Sequence, residues 1–185
     1  VNVPHFRAAA ETAVGLARSK KVEALMKGAL HTDELMVEVV DKDGLRTGRR
    51  ISHVFLMDVP TYPRPLMITD AAINVNPSLE DKVDIVQNAV ELAHMLKIPE
   101  PKVALLAAVE IVNPKMRATV DAAALCKMAD RGQITGALLD GPLAYDNAVS
   151  MLAARSKGIK SAVAGQADIL VVPEIESGNM LAKQL

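Results

Sequence analysis

Three short apolar segments follow one another at nearly even spacing along the chain: Lys102-Val-Ala-Leu-Leu-Ala-Ala108, Ile134-Thr-Gly-Ala-Leu-Leu-Asp140 and Ala167-Asp-Ile-Leu-Val-Val172. Each is short enough to be a buried strand, and each pair is separated by a segment with helical spacing of its apolar residues. Strands that are joined by helices of crossover length lie parallel in one sheet. The pattern therefore predicts a βαβαβ unit and an α/β fold.

The two connecting helices have recognisable ends in the sequence. Asn113-Pro114 predicts the start of the first, with Asn at the cap and Pro at the first helical position, and Arg131-Gly132 predicts its end. The second is predicted over residues 143–155, ending near Gly158. Earlier parts of the chain complete the predicted fold, with helices over residues 4–20, 32–41 and from Ser78 onward, and strands over residues 22–26, 51–59 and 66–69. A proline-rich segment separates the last two strands, which we expect to form an antiparallel insertion.

The composition excludes several classes of function. The formal net charge is −1 and no basic run occurs, so a nucleic-acid surface is not expected. The longest apolar stretches are too short to span a bilayer, and we expect a cytoplasmic protein without membrane contact. The histidines are dispersed and Cys126 is the single cysteine, so no metal site is predicted and Cys126 is expected to be an inert core residue.

Candidate site residues lie on the loops that follow the predicted strands, because ligands gather at the carboxyl ends of strands in open α/β sheets. The loop over residues 27–32 combines a lysine, a glycine, a histidine and a threonine at a helix start, which is a plausible phosphate cradle. The alternative is that Thr32 only caps the helix.

Two further loops leave similar alternatives open. Asp140-Gly141-Pro142 is typical of a tight strand exit, and turn chemistry alone explains Asp140 and Gly141. Asp146 is expected to be buried, where a carboxylate needs a partner, and it is either a helix cap or an active-site acid. Residues 176–179 form either a nest of backbone donors or a simple cap.

Taken together, these loops resemble the phosphate acetyltransferase and butyryltransferase family, over about residues 22–185. The motifs that carry the resemblance are Leu25-Met-Lys-Gly28, Thr69-Asp70 with Asn74, Asn113-Pro-Lys-Met116, Asp140-Gly-Pro-Leu-Ala-Tyr-Asp-Asn-Ala-Val149, Val163-Ala-Gly-Gln-Ala-Asp-Ile-Leu-Val-Val-Pro173 and Gly178-Asn179. The family's acetyl-specific branch has a serine-rich loop where this chain has residues 27–32, so the butyryl-like branch is the better match. Some members of that branch carry a fused hydratase-like domain.

The resemblance implies a two-domain fold like that of the isocitrate and isopropylmalate dehydrogenases. On that basis we expect residues 1–50 to belong to the first domain, residues 51–165 to form the second, and residues 166–185 to return to the first. The chain is expected to be an excerpt. A Ser-Arg pair and, in the acetyl type, an Asp base are expected beyond Leu185.

The implied activity is transfer of an acyl group between coenzyme A and inorganic phosphate, by direct attack of the CoA thiol on an acyl phosphate in the reverse direction. Coenzyme A and phosphate would be substrates, with no tightly bound cofactor, and the protein is expected to be a homodimer. We expect His31 and Asp146 to act in catalysis. The residues expected to bind substrate are Lys27, Gly28, Thr32, Asn113, Gly141, Pro142, Asn147, Gly178 and Asn179.

The sequence alone leaves two alternatives to this activity open. The first is a metal- and NAD-dependent hydroxy-acid dehydrogenase on the same fold, although the scattered aspartates do not demand a divalent ion. The second is a binding module for CoA or phosphate that does not catalyse a reaction. The acyl-chain length is open between acetyl and butyryl.

Overall fold

The computed structural model describes residues 5–185, which divide after Arg49 into two compact units. The first unit contains two helices, α1 (Phe6–Arg18) and α2 (Thr32–Val39), close to the predicted bounds. The strand predicted over residues 22–26 is wrong, because that segment has no regular structure. A strand needs a neighbour to pair its backbone groups, and residues 5–49 contain no other extended segment that does so.

The second unit is a five-stranded sheet with helices on both faces. Its strand order is β1-β2-β5-β3-β4, where β1 and β2 are antiparallel and the other neighbours are parallel. The predicted parallel arrangement of the three apolar segments and the antiparallel insertion are both confirmed. The elements of this unit are β1 (Phe55–Met57), β2 (Leu66–Thr69), α3 (Leu79–Met95), β3 (Lys102–Leu106), α4 (Arg117–Asp130), β4 (Leu138–Leu143), α5 (Tyr145–Val149), α6 (Met151–Ser156), β5 (Ile169–Val171) and α7 (Ile175–Gln184).

The three central strands are continuous apolar runs because both of their faces are covered. Every residue of β2 and β5 is buried, as are the last four residues of β3. Helices α3 and α4 cover one face of the sheet through side chains such as Val86, Val90 and Leu125. The other face is covered by α5, α6 and α7, which contribute Ala148, Ala154 and Ala182.

Helix α3 begins where the sequence predicts. The Ser78 hydroxyl accepts a hydrogen bond from the Asp81 N–H at 3.1 Å, and the Asp81 carboxylate accepts one from the Ser78 N–H at 2.9 Å. This reciprocal capping box satisfies two backbone donors that a helix start otherwise leaves unpaired.

The next helix, α4, starts later than predicted, at Arg117 with Met116 as its N-cap. Asn113 instead forms a turn, since its side-chain oxygen accepts from the Lys115 N–H at 3.0 Å and its own N–H donates to Thr119 Oγ1 at 2.9 Å. The predicted end at Arg131-Gly132 agrees with the structure, where Gly132 adopts a φ of 74°.

Strand β4 and the helical segment after it begin later in the sequence than predicted. The strand begins four residues later than predicted because Gly136, at a φ of 83°, interrupts the extended backbone. It continues to Leu143, where a helix was predicted to begin. The single predicted helix is two short ones, divided at Ser150, whose extended backbone and side chain cap α6.

The end of the chain belongs to the second unit. Strand β5 lies between β2 and β3 and pairs with both of them. Residues 166–185 therefore lie with residues 50–165, and not with the first unit, where the sequence-based division places them. The sequence does not reveal that β5 enters the centre of the sheet.

Candidate functional site

Four parallel strands end at the same edge of the sheet, and we call this the carboxyl edge. Loops at such an edge lead into helix starts and are the usual place for ligands in open α/β sheets. The loops that form it are residues 70–78 after β2, 107–116 after β3, 144–147 from β4 into α5, and 172–174 after β5. Most of the predicted site residues of the second unit lie on or beside these loops.

A network of polar side chains joins the loops after β3 and β4. Asn147 is fully buried, and its side-chain amide donates to Glu110 Oε1. Lys157, just after α6, donates to the same carboxylate oxygen at 2.8 Å. Its hydrogen bond is the main cause that holds the pKa of Glu110 below the usual value. Among the described residues, Asn147 Oδ1 has no hydrogen-bond partner.

Asp146 differs from its prediction. Its side chain is 56% exposed, so the expectation of a buried carboxylate is wrong, and its closest cation is Lys157 at 3.8 Å. The physical reason is the phase of the helix, which starts at Tyr145 and turns Asn147 inward in place of Asp146. An exposed carboxylate remains available to a substrate, whereas Asn147 and Glu110 hold the loops in place.

Gly141 and Pro142 lie inside β4 and not in a loop. A methyl group added at Gly141 would lie 2.7 Å from Leu105 Cβ and from the Leu105 carbonyl oxygen. Close contact between β4 and β3 therefore explains the glycine. Asn113 lies on the carboxyl edge itself, where its turn leads toward α4.

Sequence reasoning missed a buried ion pair at this edge. Lys82 Nζ lies 2.7 Å from Asp121 Oδ2, and the two side chains are only 6% and 10% exposed. Arg117 also approaches the Asp121 carboxylate, at 3.4 Å, and donates to the carbonyl of Pro77 at 2.8 Å. A signal was present in the sequence, because Lys82 lies three residues after Leu79 on the apolar stripe of α3.

The loop after β2 is organised by a second buried carboxylate. Asp70 Oδ1 accepts hydrogen bonds from the backbone of Ala72 and Ile73, and Oδ2 accepts from the Asn74 side chain at 2.6 Å. Arg50 donates to Asn74 Oδ1 at 3.2 Å. Several donors therefore compensate the burial of this acid, which belongs to one of the quoted motifs.

Helix α7 is attached to the loop after β2 through residues that we expected to bind substrate. The Asn179 amide donates to the Ala71 carbonyl at 3.0 Å, and Gly178 packs so closely on Val172 that a side chain would collide with it. Glu174 caps the helix by accepting from the backbone of Ser177, and hydrogen bonding with Ser177 lowers the pKa of Glu174. Residues 176–179 lie inside α7, so the expectation that they form a nest or a cap before the helix is wrong, and the cap is Glu174. Beside it lies an open depression lined by Ala72, Ile175, Glu176, Asn179 and Met180.

In the first unit, the loop over residues 27–32 is exposed and bonded mainly to itself. Lys27 Nζ donates to the carbonyl of Leu30 at 2.8 Å and to that of Gly28 at 3.2 Å. His31 is the N-cap of α2, and its N–H donates to Glu34 at 3.3 Å. Thr32 is the first helical residue and not the cap that the alternative interpretation assigned to it.

Residues 5–185 include no group of three or more His, Cys, Asp or Glu that could hold a metal ion. None of their helices is both long and apolar enough to cross a membrane. Burial raises the pKa of Cys126 to about 12, so its thiol stays protonated at neutral pH.

Comparison with known proteins gives a consistent result. Residues 5–185 match a family model described as "Phosphate acetyl/butaryl transferase". A phosphate acetyltransferase from Rickettsia felis is 64% identical over all of this chain and 54% of its own length. A phosphate butyryltransferase from Clostridium acetobutylicum is 48% identical over all of this chain and 62% of its own length. This chain therefore spans somewhat more than half the length of these curated relatives.

A solved structure shares the fold. A branched-chain phosphotransacylase from Enterococcus faecalis superposes with a TM-score of 0.91 at 35% identity, over all of this chain and 66% of the other. The comparisons give no support to the dehydrogenase alternative.

Proposed function

We propose, on the premise that this chain belongs to the phosphate acetyl/butyryl transferase family, that the complete protein transfers an acyl group between an acyl-CoA and inorganic phosphate. The observation that carries the proposal is the family match, which extends over every described residue. The carboxyl edge of the sheet supports the proposal, because its exposed and buried charged side chains lie where α/β enzymes bind their ligands.

In the direction of acyl-CoA synthesis, the CoA thiol loses its proton and attacks the carbonyl carbon of the acyl phosphate, and phosphate leaves. The reaction needs a base for the thiol, a donor for the carbonyl oxygen and cations or N–H groups for the phosphate. We assign Asp146 as a candidate base, supported by its exposure and by a cation 3.8 Å from its carboxylate. Lys157 is that cation.

We assign the loop over residues 27–32 to the phosphate or the acyl oxygen. Lys27 would supply a point charge, Thr32 a hydroxyl at the start of α2, and His31 a donor for charge that develops on oxygen. The exposure of all three supports the assignment. Gly28, Asn113, Asn147 and Asn179 are retained as candidates for shaping the substrate site, with Gly141, Pro142 and Gly178 acting through packing.

The experiment is a thiol-release assay on the complete protein with acetyl-CoA or butyryl-CoA, in the presence and absence of phosphate. Release that requires phosphate is the expected result, and the ratio of kcat/KM for the two acyl chains gives the preference. Binding of CoA without any turnover would instead identify a non-catalytic binding module and contradict the proposal.

Finer features are proposed from the resemblance. They are a homodimer, a cytoplasmic location, a domain arrangement like that of the isocitrate and isopropylmalate dehydrogenases, coenzyme A and phosphate as substrates without a tightly bound cofactor, and a fused hydratase-like domain. Light scattering on the purified protein measures the oligomeric state. A molar mass of one subunit would contradict the homodimer.

A further inference from the structure

The buried pair of Lys82 and Asp121 lies where the connections of the sheet diverge. Strand β3 leads into α4 on one face, and its neighbour β5 leads into α7 on the other. Such a point of divergence opens a crevice at the carboxyl edge, which is the preferred ligand position in open α/β sheets. Both side chains line a small cavity at this crevice, together with Leu106, Val172 and Pro173.

Stability alone does not account for a charged pair at this position. Removing two charges from water is costly, and an apolar pair of similar size is often as stable or more stable. The surroundings are suited to an apolar pair, since Leu105, Leu125 and Val171 line the same cavity. What the charges add is a fixed distance and direction between α3 and α4.

The pair is connected to the loops of the carboxyl edge on both sides. Arg117, at the start of α4, contacts the same Asp121 carboxylate and the Pro77 carbonyl before α3. The loop that carries Glu110 and Asn113 leads directly into that helix start. On the other side, the cavity reaches Pro173, which precedes the cap of α7.

We propose that Lys82 and Asp121 are positioning residues of the active site, which hold the loops 107–116 and 172–174 in the arrangement that catalysis requires. The proposal rests on the proposed acyltransferase function. Neither residue needs to touch a substrate, because both side chains are almost fully buried. A small displacement of a loop that orients substrates is enough to slow a reaction by about a hundredfold.

The test is a double variant of the complete protein, Lys82→Met with Asp121→Leu, which replaces the ion pair by an apolar pair. We expect it to fold with a Tm close to that of the unmodified protein. Its kcat in the phosphate-dependent thiol-release assay should fall by about tenfold or more, with a smaller change in KM. A kcat and KM within about twofold of the unmodified protein would overturn the proposal and leave the pair a structural contact.

A matched control is available on α4. Lys127 and Asp130 form an ion pair at 2.5 Å whose side chains are 67% and 61% exposed, so Lys127→Met with Asp130→Leu removes the same charges from the surface. This control should keep both kcat and KM. If the buried double variant does not fold, Lys82→Arg keeps the charge and should retain more activity per folded molecule than Lys82→Met. Equal activity of these two variants would contradict a positioning role.

A structural readout separates this proposal from the proposed function. Backbone hydrogen exchange over residues 107–117 and 172–178 should be faster in the double variant than in the unmodified protein. If the unmodified protein shows no acyl transfer, the proposed function fails, and unchanged exchange in these segments would independently refute the positioning of the loops.

Discussion

The two units of this chain hold their helices by different means. In residues 50–185, helices pack on strands that are buried on both faces. In residues 5–49, the buried apolar side chains are Ala10 and Val14, and ion pairs such as Arg7 with Glu11 lie on the surface. Surface pairs add little stability. Side chains of the first unit can therefore be changed to test their chemistry with small effects on folding. A change to a side chain of the second unit is expected to affect folding as well as chemistry.

Two lysines illustrate the difference. Lys82 is buried against a carboxylate, and Lys27 is exposed and bonded to carbonyl groups of its own loop. The same substitution should therefore change the free energy of unfolding by different amounts at the two positions. This difference is the largest effect that we predict.

Lys82→Met is expected to lower the free energy of unfolding by about 3–5 kcal/mol, because it leaves the Asp121 carboxylate buried without its main partner. Lys27→Met should cost about 1 kcal/mol or less. Urea denaturation of the purified proteins measures both. Similar losses for the two variants would show that burial does not distinguish the two regions.

A pair of glycines sharpens the same comparison. Gly141→Ala should destabilise the protein by about 1–3 kcal/mol, because the new methyl group collides with Leu105 in the sheet. Gly15→Ala is the matched control in α1, where no heavy atom beyond the adjoining helix backbone lies within 4 Å of the added methyl group. It should stabilise the protein by about 0.5–1 kcal/mol, since alanine is preferred in a helix interior. A neutral result at Gly141 would mean that the two strands separate easily at this point.

The exposed loop of the first unit is expected to matter for activity. Lys27→Met should weaken phosphate binding or turnover about tenfold, the scale of one charged contact at about 1.4 kcal/mol. The dependence of thiol release on phosphate concentration measures this. Lys42→Met, at another exposed position in the same unit, is the control and should leave the kinetics unchanged. Unchanged kinetics for Lys27→Met would leave the loop with a structural role in starting α2.

What the sequence could predict follows the range of the interactions. Strand β2 and helix α3 were located well because apolar runs and the Ser78 cap are local signals. The pair of Lys82 with Asp121 spans 39 positions and the contact of Asn147 with Glu110 spans 37, so neither could be located without the fold.

The choice between neighbouring residues also depended on the fold. Because α5 begins two residues later than predicted, Asn147 is buried and Asp146 is exposed. The sequence could place polar residues at the carboxyl edge of the sheet, but it could not show which of them the fold buries.

The smallest prediction concerns pH. Because Lys157 donates a hydrogen bond to its carboxylate, the pKa of Glu110 in the folded protein lies below the value of about 4.3 in an unfolded chain. Between these two values the unfolded state binds more protons, so the free energy of unfolding rises with pH, and the contribution is lost as the pH falls through the folded pKa. Lys157→Met removes the hydrogen bond. We therefore expect this variant to be less stable than the unmodified protein above about pH 5, with a difference that disappears in more acidic solution.

Urea denaturation at a series of pH values measures the difference in the free energy of unfolding between Lys157→Met and the unmodified protein. Lys160→Met, an exposed lysine three residues further on, should show no such dependence. A Lys157→Met difference that stays constant at every pH would mean that packing of the lysine chain, and not its charge, joins the loops after β3 and β4.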